Sequence, residues 1–386
     1  MGCIPTFKPA CDGQWRSNAA WLTVLVATLL LATASVIVAA LANSQAPRGR
    51  AALAGLTVPL PRPLDISGIA YPRSGCKIAC RAGGLPYMAV GAAGAERVGD
   101  IGLISVNGRV FDFLTVDGEA TEPAWRMDGK RIVFFRWNPR RKAAELYQVG
   151  ADGHEQPLFK DGPAIPCDED DTPGPPCVTA DDAHVVFWHY VPEERQRGTT
   201  RVSIVDLSSG EMRALYAFGT NPTQLATDPK HANRIAYVTS PPPQESSATS
   251  RDRLLLVVGD LNEKWHRIVD RLSGPRTHID SLAWRPDGQA LAYVVTIEGT
   301  APEKGERGRS EIRVWDVRSG RRSVVFSVGD SYSLGDIAWA PRGGAFACVW
   351  VTEWATRRAR TWVRIVRLPK HSGDIYEKAG RVKRSL

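Results

Sequence analysis

The amino-acid sequence predicts an all-β chain: a six-bladed β-propeller of four-stranded antiparallel blades, preceded by one N-terminal transmembrane helix. Three observations carry this. A phrase built on a tight turn between an aromatic residue and an alternating apolar run recurs at a near-constant interval, as in 281–294, SLAWRPDGQALAYV, and 123–135, PAWRMDGKRIVFF. A second landmark, a β-branched run ending in a turn, follows five of the six phrases by about twenty to thirty residues. Residues 20–42, AWLTVLVATLLLATASVIVAALA, hold no charged side chain.

The apolar run comes first in the chain. At ~1.5 Å per residue it covers a hydrocarbon core of about 30 Å, and no charge occurs between Arg16 and Arg48. It is longer than the ~7–15 apolar residues of a cleavable signal, so a retained single-pass anchor is expected; Ala40-Leu41-Ala42 leaves cleavage after Ala42 as the alternative. Lys8 and Arg16 on one side balance Arg48 and Arg50 on the other, so the positive-inside rule assigns no orientation. MGCIPT also fits the myristoylation pattern, with Cys3 as a second acylation site, though a span makes that anchor redundant. The organisation expected is a segment 1–19, a span 20–42, a linker 43–62, a propeller 63–370 and a basic tail 371–386.

Composition agrees with many short strands. Apolar residues make up 43% and aromatic residues 8% of the 386, enough for a large core. The 35 Gly and 27 Pro demand frequent turns, yet are too few for collagen or general disorder. A formal charge of +8 permits an acidic protein, an anionic membrane or nucleic acid as partner without choosing among them.

Six copies of the phrase fix the interval. Their anchors are Tyr71, Trp125, Val178, Thr227, Trp284 and Trp339, separated by 54, 53, 49, 57 and 55 residues. The third and fourth copies, CVTADDAHVVFW and LATDPKHANRIAYV, lack the aromatic. The second landmark reads ELYQVGADG, RVSIVDLSSG, LLLVVGDLN and EIRVWDVRSG, with GLISVNG as its first copy. Two strands, a variable loop and two more strands make a meander apolar on both faces, which must stack on neighbours; six such sheets close radially. Pro presets φ and Gly accepts positive φ in the turn, and the aromatic is placed to wedge against the next blade. LTVPL (56–60) is one way to close the ring, a purely C-terminal closure the other.

AWRPDGQALAYV and PAWRMDGKRIVFF resemble the repeat of TolB-like six-bladed propellers, with its Trp-x-Pro-Asp-Gly-Lys-x-Ile-Ala-Phe pattern. The likeness covers residues 64–368. The resemblance implies a noncatalytic binding or scaffolding role in the cell envelope, with the propeller outside the cytoplasm. The dipeptide Trp315-Asp316 is a coincidence, because the interval is too long for the ~40–45 residues of WD repeats.

Residues that could carry chemistry are few. Cys167 and Cys177 bracket DEDDTPGPP, and a disulfide across this short loop is expected, worth about 3 kcal/mol in the chain-entropy estimate; a solvated acidic loop and a calcium site are the alternatives, the latter without an EF-hand's Gly and Glu. Cys80 and Cys348 read as small core residues. The seven histidines show no metal-ligand spacing, and no Gly-x-Ser-x-Gly, P-loop or dinucleotide fingerprint occurs, so no cofactor, metal or catalytic residue is assigned. Gly329-Asp330-Ser331 opens like a GDS esterase motif but falls between blades.

The loops between the second and third strands are more suggestive, since they occupy equivalent places in the repeat and so one face. Residues 136–145 carry a formal +3 and include Arg136, Trp137, Arg140, Arg141 and Lys142. Residues 190–201 carry +1 and include Tyr190, Arg195 and Arg197. Residues 352–364 carry +3 and include Trp354, Arg357, Arg358 and Arg360. Aromatic side chains beside Arg favour protein contact. The expectation is therefore a noncatalytic, membrane-anchored propeller with a protein partner, no nucleic acid and no small-molecule substrate. The alternative is a hydrolase or lactonase with a metal or polar site in the central channel.

Overall fold

Antiparallel strands account for the whole of the regular structure in the computed structural model, which describes residues 56–58, 66–70, 77–82, 99–105 and, with short interior gaps, 111–368. The predicted span 20–42, the myristoylation pattern and the tail 371–386 lie outside the described residues; among those described, no helix is long and apolar enough to cross a membrane.

Six sheets follow one another along the chain. The first blade comprises Ile66–Ala70, Lys77–Ala82, Asp100–Ser105 and Phe111–Phe113. The second has Ala124–Trp125, Arg131–Asn138 and Ala143–Gly150, with its outer edge divided between Glu155–Pro157 and Ala164–Pro166. The third runs through Cys177–Val178, His184–Tyr190, Thr200–Asp206 and Met212–Leu215, and the fourth through Thr220–Thr227, Arg234–Ser240, Arg253–Asp260 and His266–Ser273. Thr277–Trp284, Ala290–Ile297, Arg309–Asp316 and Arg322–Gly329 make the fifth. In the sixth, Tyr332–Trp339, Ala345–Thr352 and Arg360–Arg367 are joined by Leu56–Val58, which pairs antiparallel with the last strand, Thr57 opposite Arg364. Part of the expected linker 43–62 is thus the closing strand, which covers an edge that would otherwise stand unpaired.

Closure of the ring is visible in the core. Six apolar clusters each join two consecutive blades, and the last unites Ile69, Ile78, Cys80 and Ile104 of the first blade with Ala347, Val349, Val363 and Ile365 of the sixth. Strand alternation produces this. In the fifth blade Leu291, Tyr293 and Val295 face the fourth blade, while Ala290, Ala292 and Val294 face the sixth. Each large side chain buried this way contributes about 1.5–3 kcal/mol, and no blade could realise that alone.

The recurring phrase has the structural role its chemistry suggests. Gly129, Gly288 and Gly343 take φ of 66°, 68° and 68° in their turns, and Asp182 takes φ of 59° where the third copy lacks glycine. The indole N–H of Trp125 donates to the Ala70 carbonyl at 3.1 Å, that of Trp284 to Ala226 at 3.2 Å, and that of Trp339 to Ala283 at 2.9 Å. Each bond crosses to the preceding blade. Thr227, standing where the fourth copy lost its aromatic, makes the same crossing: its hydroxyl donates to the Val178 carbonyl at 2.7 Å. The second landmark also repeats its chemistry. Asp206 Oδ1 accepts the N–H groups of Ser208 and Ser209, both at 2.8 Å, and Asp316 Oδ1 accepts that of Ser319 at 2.7 Å. The aspartate of Trp315-Asp316 is thus a turn residue of this repeat.

Candidate functional site

Antiparallel order sends the two kinds of connection to opposite ends of the blades. Among the described residues, the turns joining first to second strands in the second to sixth blades and third to fourth strands in the second to fifth are short and similar in length, whereas the strand bounds leave connections of unequal length and sequence between second and third strands. All the sequence-predicted contact residues belong to the second kind or flank it. Arg195, Arg197, Trp354, Arg357 and Arg358 lie outside the described residues; Arg360 opens the last strand, opposite Thr352.

The second blade's loop is a tight turn. Asn138 Oδ1 accepts the N–H groups of Arg140 and Arg141, both at 3.2 Å, and Lys142 adopts φ of 46°. Arg140, Arg141 and Lys142 are exposed, and Arg141 pairs with Glu145. Among the described residues, Arg140 and Lys142 meet no carboxylate.

Two residues of this group prove to be structural. Strand Arg131–Asn138 extends further than the loop reading allowed, and alternation turns Trp137 inward, 8% exposed. Arg136 is ringed by Asp117, Glu119 and Glu155 and lies over the Tyr147 ring at 5.3 Å. Arg136 and Arg141 are therefore taken up by four carboxylates, counting Glu145, which leaves Arg140 and Lys142 as the two cations of the predicted +3 segment that meet none among the described residues. A hollow of 210 Å³ lies between Arg136, Arg140, Glu119 and Tyr147.

Tyr190 ends its strand half-buried, edge-to-face on Trp188 at 6.0 Å. Its neighbour His189 is a packed histidine. Burial lowers its pKa below the usual imidazole value, its Nε2 lies 3.0 Å from Ser203 Oγ, and its ring lies 5.7 Å from Phe187.

The expected Cys167–Cys177 disulfide is not formed. Cys167 packs in the cluster between the second and third blades, whereas Cys177 faces the fourth blade, its thiol donating to the Leu225 carbonyl at 3.2 Å. The two side chains are directed to opposite faces of the third sheet. Cys80 and Cys348 are fully buried on their respective blade faces, and desolvation pushes both thiols up to about 12.

First strands of successive blades touch one another and so surround the axis. On the fifth of these, Asp280 forms a bulge between Ile279 and Ser281. Burial raises its carboxyl above the ordinary range; the Thr296 hydroxyl and His278 act to lower it, Asp336 and Glu298 to raise it. Ser281, buried beside it, accepts the Ile337 N–H at 3.2 Å. Sequence reading passed over this acidic neighbourhood because its members come from separate strands and blades. Among the described residues no group of three or more His, Cys, Asp or Glu is arranged to hold a metal ion.

Closed by its N-terminal strand and stacked blade on blade, the chain is a six-bladed β-propeller. No family model matches the sequence, and no curated protein matches it. Solved structures do. TolB from Acinetobacter baumannii is 17% identical, with 69% of this chain and 57% of that one covered and a TM-score of 0.46. A TolB-like protein of Agrobacterium tumefaciens is 11% identical over 79% of this chain and 91% of that one, with a TM-score of 0.49. A gluconolactonase of Xanthomonas campestris is 12% identical over 82% of this chain and 89% of that one, with a TM-score of 0.51. At these identities the likeness is one of fold.

Proposed function

We propose that this chain is a noncatalytic propeller that binds a protein partner through the loops joining its second and third strands, anchored in a membrane of the cell envelope by residues 20–42. The propeller is placed on the extracytoplasmic side in this reading. One observation carries it: connections at one end of the blades repeat the same turn chemistry, while those at the other end differ from blade to blade. Uniform turns serve folding; variable loops on a rigid scaffold are where recognition residues concentrate. Arg140 and Lys142, exposed beside Arg141, are the described side chains best placed to contribute.

The test is cross-linking of the native host's membranes followed by mass spectrometry, with wild type and a paired Arg140→Glu, Lys142→Glu variant of unchanged melting temperature. Specific envelope proteins recovered with wild type and lost with the variant support the reading. Recovery unaffected by the variant, or no specific protein at all, sinks it. A second reading, a hydrolase or lactonase acting in the channel, is favoured by the raised carboxyl of Asp280 beside Asp336 and His278; hydrolysis of lactone or ester probes that disappears in Asp280→Asn would replace the first.

A further inference from the structure

One position of the third strand distinguishes the second blade from all the others. In each blade a third-strand residue pairs with the start of the second strand: Ser105, Gly150, Asp206, Asp260, Asp316 and Arg367. Two residues earlier, five blades place Leu103, Ile204, Val258, Val314 and Ile365, all buried and all in the cluster shared with the following blade. The second blade places Gln148 there, only 7% exposed. Among the described residues its Oε1 accepts no hydrogen bond. A buried amide oxygen without a donor has given up its water with nothing in return, a penalty the apolar residue used in the other five blades avoids.

The same blade opens a hollow of 670 Å³ at this point, lined in part by Gln148. Its outer edge strand here is only Glu155–Pro157, against eight residues in the fourth and fifth blades. The mouth carries Lys130, His154 and Gln156 as donors and Asp128 and Asp152 as acceptors, with Arg131 paired to Asp128 at 2.9 Å. This mouth lies among the short turns, at the end of the blades opposite the variable loops.

We propose that the hollow is a binding site for a neutral, polyhydroxylated ligand of saccharide type. Gln148 Oε1 is covered by protein as the side chain stands, so half a turn of the amide, exchanging Oε1 with Nε2, presents it to the hollow, where the ligand must donate to it. Two cations and two carboxylates balance at the mouth, so a charged ligand meets as much repulsion as attraction. Interspersed donors and acceptors suit groups that do both, which is the property of hydroxyls. The volume accommodates more than one sugar ring.

The test is calorimetric titration of the full-length protein with maltose, cellobiose and chitobiose, beside Gln148→Leu and Lys130→Ala. Gln148→Leu restores the residue type of the other blades, so its melting temperature should hold or rise while Kd for the bound sugar rises about tenfold, 1.4 kcal/mol. Lys130→Ala, in an exposed turn, should weaken binding without unfolding. No saturable binding of any of the three sugars, meaning that water alone fills the hollow, overturns the proposal; so does binding that both variants leave unchanged. The loop variant Arg140→Glu, Lys142→Glu should bind sugar as wild type does, which separates this site from the protein-binding surface.

Discussion

The buried ion cluster between the fourth and fifth blades offers a quantitative test of how blades are held together. Asp270, 4% exposed on the fourth blade's outer strand, accepts the Tyr293 hydroxyl at 2.8 Å and pairs with Arg322 and, at 3.5 Å, Arg313. All three partners belong to the fifth blade. Tyr293→Phe removes one hydrogen bond to a charged acceptor, whose value range is about 1.5–3 kcal/mol. Two guanidinium groups still hold the carboxylate, so the lower end, about 1.5 kcal/mol, is expected. Asp270→Ala strands the tyrosine hydroxyl and removes a partner of Arg313, which keeps Glu311 at 2.8 Å, while the half-exposed Arg322 returns to water. Breaking a buried pair usually costs 3–5 kcal/mol, and these two escapes put the expected loss near the bottom, about 3 kcal/mol. Urea unfolding of the full-length protein followed by tryptophan fluorescence, for both single variants and the double variant, gives the coupling directly. Additive losses, or an Asp270→Ala loss under about 0.5 kcal/mol, would refute the idea that this cluster locks the two blades. Alkali gives an independent reading. Burial, then the nearby Asp270, raises the Tyr293 pKa above the ordinary phenol value, so the folded state keeps a proton that the unfolded chain loses above about pH 10. Stability should therefore fall as pH rises past that point, and less steeply in Tyr293→Phe.

Other expectations can be checked in the same assay. Trp339→Phe deletes the 2.9 Å bond to the Ala283 carbonyl and should cost about 1–2 kcal/mol, with Thr227→Val smaller but in the same direction; no loss in either would remove the inter-blade donor from its role. Gly288→Ala forces a side chain onto φ of 68° with its Cβ 2.7 Å from Asp228 Oδ1, and a loss of about 2 kcal/mol is expected. Asp280→Asn should raise the melting temperature at neutral pH, because a carboxyl whose folded pKa is raised by burial contributes stability only below its unfolded value and loses it as pH climbs through the folded one. That gain should vanish below about pH 4, the unfolded aspartate value; a melting temperature unchanged at pH 7 would contradict the cause assigned.

Several misreadings trace to one limitation: a linear pattern does not say where a strand stops or which distant groups meet. Arg136 and Trp137 read as loop residues because RWNPRR is rich in charge, yet the strand carries both past the apparent boundary. The carboxylates around Arg136 come from the connection leaving the first blade and from the short strand Glu155–Pro157, so no local window contains them. Cys167 and Cys177 are close in sequence, but the facing of Cys177 is set by strand parity and the blade packed against it. Gln148, by contrast, was available to sequence reading: aligning YQVG with SIVD and RVWD exposes one amide among aliphatic residues.

What the chain determines locally is the repeat, its turn chemistry and the alternation that makes each sheet apolar on both faces; these follow from φ preferences and side-chain period, which act within a few residues. Two-faced apolar sheets require stacked neighbours, so the number of blades and their closure were legible too, with Leu56–Val58 among the strands able to complete the ring. Tertiary structure alone decided which charges neutralise one another, which thiols face apart and that the Gln148 amide oxygen finds no donor among the described residues. Those outcomes depend on distances between separate strands and connections, and such distances exist only once the blades have packed.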